Sequence, residues 1–137
     1  MADRYISEVV RSEVAKRAAY RCEYCLLFEK YSYFKFHIEH IVSLKHGGQN
    51  EPSNLALACP QCNMNKGSDV ATFLAGNEEP TRFYNPRKDA WREHFRAEES
   101  GEIVAISKIG EATIKVLGLN QSESIMERKL LIDKRLF

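Results

Sequence analysis

Two Cys-x-x-Cys pairs, Cys22/Cys25 and Cys59/Cys62, bracket a Glu39-His40 dipeptide and Asn54, with Asn63 and Lys66 directly after them. Four thiolates at two short spacings can converge on one tetrahedral Zn²⁺, each pair forming one knuckle. A closed Cys₄ shell keeps no open position, so such an ion is structural rather than catalytic. A redox use of either pair would need a strand–CxxC–helix within a βαβ unit, and none is legible here. The remaining side chains suit different chemistry. A neutral imidazole takes a proton from water near pH 7. Carboxylate and amide oxygens are hard ligands that leave positions on a divalent cation for water and substrate.

Several elements must position these groups. Residues 7–19 read as a helix, with Ser7 as its N-cap and Val9, Val10, Val14 and Ala18 on one face. It delivers the chain to the first cysteine pair. Residues 33–42 have the period of a half-buried strand: Phe34, Phe36 and Ile38 alternate with Lys35, His37 and Glu39, which puts Glu39 outward. HGGQNEPSN, residues 46–54, is a loop, and residues 55–59 a short return strand that closes a hairpin. Residues 61–75 read as a helix weakened by Gly67; it places Asn63 and Lys66 at i and i+3 on one face, from which Lys66 can reach a phosphate. The insert between the pairs is too small to bury a core alone. A metal clamp would fix its hairpin against that helix.

The stretch RCEYC…FHIEHIVSLKHGGQNEPSNLALACPQCNMNKGS resembles the HNH endonuclease family, in its zinc-bearing subgroup with paired CxxC motifs. The matching elements are the acid-His pair at 39–40, Gly47-Gly48, Asn54-Leu55 and Cys-x-x-Cys-Asn-x-x-Lys at 59–66. The resemblance implies an α+β protein: a ββα-metal core clamped by the Cys₄ zinc site, with an N-terminal helix and a C-terminal α/β extension. It implies that His40 is the general base, that Glu39 and Asn63 bind a catalytic cation, and that Asn54 braces the loop carrying His40. The implied reaction is hydrolysis of DNA phosphodiester bonds: nicking, or double-strand cleavage by a dimer. Two oxygen donors rather than several imidazoles favour Mg²⁺ or Mn²⁺ over Zn²⁺ or Ni²⁺. The resemblance covers about residues 8–70; the nuclease core with its zinc site is read as 1–77, and 78–137 as an extension of unknown role without a catalytic signature.

Composition narrows the remaining possibilities. The chain has 137 residues, 44% of them hydrophobic, and a net charge of +1, so no global field draws in a polyanion. Nucleic-acid contacts must be local. Candidates are Lys66, His46 beside the two glycines, and Arg82, Arg87 and Lys88 in the basic, aromatic stretch 80–96. Trp91 and His94 in that stretch read as packing residues. No run of about 18 apolar residues is present, and MADRYISEVV lacks the apolar core of a signal peptide, which points to the cytoplasm. The rival reading is a non-catalytic zinc module that binds nucleic acid or protein. It needs the four cysteines but has no use for Glu39, His40 and Asn63 in register.

Overall fold

The computed structural model describes residues 5–137; residues 1–4, part of the stretch read for a leader, lie outside them. The chain forms two units, one up to Val70 and one from Ala71 to Phe137.

In the first unit, helix α1 spans Glu8–Arg17. Ser7 caps it, its hydroxyl accepting from the Val10 N–H at 3.3 Å. Glu8 in the first turn and Lys16 and Arg17 in the last complement the helix dipole. The chain then turns through Ala19 and Tyr20, both at positive φ, into the first cysteine pair. Strand β1 (His37–His40) pairs antiparallel with β2 (Leu55–Ala58), and helix α2 (Pro60–Lys66) follows. These three elements make a ββα unit. Arg17 ties α1 to the hairpin by donating to the carbonyls of Pro52 and Leu55 at 3.0 and 2.6 Å.

The register explains the burial. Ile38 faces Leu57 and His40 faces Leu55, so these four share one side of the hairpin. On that side Ile6, Val14, Leu55 and Leu57 form a core against which Val10, Phe36 and Ile38 pack. The other side carries Glu39 opposite Ala56, and α2 lies against both strands. All four residues of β2 are buried. In β1 only Glu39 is buried, and His37 at its start is exposed.

Three expectations are corrected here. Glu39 does not face outward: it is only 5% exposed, because α2 covers the side that alternation alone assigns to solvent. The second helix stops at Lys66, well short of residue 75, because Gly67 leaves helical geometry at φ +51°. The regular part of the first strand is likewise four residues; Tyr33 and Phe34 before it are exposed.

The second unit holds two short hairpins and two helices. Strands β3 (Ala71–Thr72) and β4 (Thr81–Arg82) pair, as do β5 (Phe95–Ala97) and β6 (Ile103–Ala105). Helix α3 (Lys108–Leu117) begins at an N-cap on Ser107 and ends at Gly118, whose left-handed φ of +67° suits glycine. Helix α4 spans Ser122–Asp133. Phe83, Tyr84, Phe95, Ile103, Leu117 and Leu119 are buried. Trp91 packs on Phe95 with ring centroids 5.0 Å apart, and His94 bonds the Ser107 hydroxyl at 2.7 Å. The fully buried Arg128 guanidinium satisfies the carbonyls of Gly101 and Leu119. No helix among the described residues is long and apolar enough to cross a membrane.

Candidate metal centre and catalytic cleft

The four cysteines converge. Their sulfurs all lie within 4.8 Å of one another, and all four residues are buried. Cys25 Sγ and Cys59 Sγ are 3.7 Å apart. A tetrahedral ion with Zn–S bonds of about 2.3 Å requires sulfurs about 3.8 Å apart. Each pair builds a knuckle in which the second cysteine's N–H donates to the first cysteine's sulfur, at 3.5 Å for Cys25 to Cys22 and 3.4 Å for Cys62 to Cys59. Leu26 supports the first knuckle at φ +68°. In the second, Cys59 is also the N-cap of α2. Sulfur–sulfur hydrogen bonds hold the Cys59 thiol far below its ordinary range and push Cys25 and Cys62 well above theirs. Four sulfurs this close cannot all ionise without a cation among them, and Zn²⁺ suits that donor set.

Glu39, His40 and Asn63 line one cleft of about 400 Å³, together with Ile38, Ser43, Leu44 and Lys45. β1 supplies Glu39 and His40, and α2 supplies Asn63. Within this arrangement Glu39 is heavily engaged. Its Oε1 meets the Lys66 ammonium at 2.6 Å, and its Oε2 accepts from the Tyr24 hydroxyl at 2.7 Å. Burial raises the Glu39 carboxyl above its ordinary value, against the opposing pull of Lys66 and Tyr24. Burial, and then Glu39 itself, raise the Tyr24 phenol well above its own, so it stays a neutral donor.

Lys66, expected to reach a phosphate, is 2% exposed. Its ammonium also donates to the carbonyls of Ile41 at 2.9 Å and His40 at 3.3 Å. Position i+3 from Asn63 brings it over the hairpin, where a buried carboxylate and two carbonyls replace water.

Asn54 clamps the loop after β1. Its Oδ1 accepts from the Val42 N–H, and its Nδ2 donates to the carbonyls of Val42 and Gln49, each at 2.9 Å. Gly48 fits beneath this clamp: a Cβ there would stand 1.8 Å from the Val42 carbonyl oxygen. The clamp brings Asn50 to His40, with Oδ1 2.7 Å from the imidazole Nε2. His46 is exposed beside Gly47. Arg82, Arg87 and Lys88 belong to the second unit; Arg82 there grips Asp89 with a two-pronged contact at 2.7 and 2.9 Å.

Two side chains of this site were not singled out from the sequence. Tyr24, inside the first CxxC, was masked by its cysteine neighbours. Asn50 read only as a turn residue. A polar residue two positions after Gly47-Gly48 was the one available signal for it.

The profile of the HNH endonuclease family matches residues 22–69, a span that includes both cysteine pairs, β1, β2, α2 and the cleft. Residues 22–69, which form the ββα frame with its cysteine cluster, are therefore similar to HNH endonuclease domains. It is also 33% identical over 97 residues to a protein of Bacillus mycoides (strain KBAB4) named Septu protein PtuA. That alignment covers 64% of this chain, and the chain spans only 13% of the relative's length. No solved structure matches the chain.

Proposed function

We propose that the protein is a metal-dependent HNH endonuclease that hydrolyses DNA phosphodiester bonds. The observation that carries this reading is the single cleft lined by Glu39, His40 and Asn63 within the segment that matches the family. His40 takes the proton of the attacking water, a role that fits an imidazole near neutral pH. Asn54 holds the loop against Val42 and so keeps the His40 surroundings fixed. Glu39 and Asn63 are the oxygen donors for a divalent cation. Each carboxylate oxygen has two lone pairs, so Glu39 keeps acceptor capacity beside Tyr24 and Lys66. A bound Mg²⁺ or Mn²⁺ would supply Lewis acidity toward a phosphate oxygen and the leaving 3′ oxygen. Lys66 acts through Glu39, by orienting the carboxylate. Arg82, Arg87, Lys88 and His46 are candidate phosphate contacts, and DNA affinity resting on such contacts falls with salt.

One observation favours the rival reading of a non-catalytic zinc module: both Glu39 oxygens already have partners inside the fold. A metal panel separates the two. Zinc-loaded protein should nick supercoiled plasmid in Mg²⁺ or Mn²⁺ and should be inactive when Zn²⁺ or Ni²⁺ is the only added ion. Activity confined to Zn²⁺ or Ni²⁺ would overturn the assignment of oxygen donors. Inactivity with every ion would favour the binding module.

A further inference from the structure

We infer that Asn50 is a positioning residue that fixes which nitrogen of His40 can take a proton. The inference rests on the reading of His40 as the base, and it follows from three contacts. The Asn50 amide nitrogen donates to the Tyr5 carbonyl at 3.3 Å. A carbonyl oxygen only accepts, so this contact sets the orientation of the amide and turns Oδ1 toward His40. An amide oxygen likewise only accepts. The 2.7 Å contact to Nε2 therefore requires the hydrogen on Nε2. In the neutral ring the lone pair then belongs to Nδ1, and Nδ1 is the nitrogen that receives the proton of water. Asn54 completes the chain of support: it holds the Gln49 carbonyl, one residue before Asn50, at 2.9 Å. The loop thus delivers an acceptor to one edge of the imidazole and leaves the other edge for chemistry.

The same contact has an orienting effect. His40 shares its side of the hairpin with Leu55, an apolar neighbour that offers no polar partner from its side chain. Asn50 supplies the ring with a directional bond, so the imidazole does not rotate freely about its side-chain torsions.

The test uses the full zinc-loaded chain and reads the ring directly. ¹H–¹⁵N correlation spectra, with the His40 signals assigned by their loss in His40→Ala, should show a solvent-protected proton on Nε2 when the ring is neutral. Asn50→Ala should lose that protected proton and lower the nicking rate about tenfold, the scale of one hydrogen bond. Asn50→Asp loses the amide donation to Tyr5 but keeps an acceptor oxygen for Nε2, and should restore the protected Nε2 proton. A parent ring protonated on Nδ1, a protected Nε2–H that survives Asn50→Ala, or nicking unchanged in Asn50→Ala would each overturn the inference. If the ring signals follow this pattern while neither parent nor variant nicks DNA, Asn50 still sets the tautomer and the nuclease reading is what fails.

Discussion

Replacing Cys59 with serine is expected to unfold the hairpin and α2 together. Cys59 contributes a sulfur to the cluster and caps α2 through the Cys62 N–H. Structural zinc in small domains supplies on the order of 10–16 kcal/mol of folding free energy. A domain is stable by only about 5–15 kcal/mol in total. The first unit has a small apolar core, centred on Ile6, Val14, Leu55 and Leu57, that cannot replace the metal. Hydrogen exchange should find the amides of the β1–β2 pair losing their protection in Cys59→Ser, with zinc content falling in parallel. Strong chelation of the parent should do the same, and added Zn²⁺ should reverse it. A hairpin that stays protected without metal would mean that the apolar core suffices and the cluster is incidental.

The second large effect is expected at Lys66. Lys66→Met keeps the length of the side chain but leaves Glu39 buried with only Tyr24 as partner. Removing one member of a buried ion pair costs about 3–5 kcal/mol, because the remaining charge is uncompensated. With the opposing ammonium gone, burial acts on Glu39 with less resistance and drives its carboxyl further toward the neutral form. Urea denaturation of zinc-loaded protein should show that loss. A double variant, Lys66→Met with Glu39→Leu, should recover much of the stability, since replacing both partners by apolar groups is often neutral. It should not recover nicking, because the oxygen donor is gone. A single variant that costs less than about 1 kcal/mol would mean that the pair behaves as an exposed one.

The sequence showed some of this site directly and hid other parts for identifiable reasons. Cysteine spacing alone announced the metal cluster, because two short loops of one kind have few other uses. Asn54 and the Gly47-Gly48 turn were visible as loop chemistry, and the clamp on Val42 and Gln49 is what that chemistry does in space. The direction of Glu39 was not visible. A period of two reports a strand with one wet face, and here Glu39 on the face opposite the apolar core is covered as well, by the packing of α2. The fate of Lys66 was hidden for the same reason: its spacing from Asn63 fixed its helix face, and only the packing of α2 decided that the face was buried. Asn50 and His40 stand ten residues apart across an irregular loop, a contact that no periodicity encodes. The end of α2 at Lys66 depended on one backbone angle at Gly67, which composition flags but does not place.

The most direct test of the account is plasmid nicking in Mg²⁺ by the parent and by His40→Ala, with zinc content and hairpin amide protection measured on both. Loss of a general base lowers a rate by about 10²–10⁴-fold. The account predicts a fall of that size while zinc binding and fold are unchanged. Equal nicking by the two proteins would contradict it and would assign the proton transfer to another group.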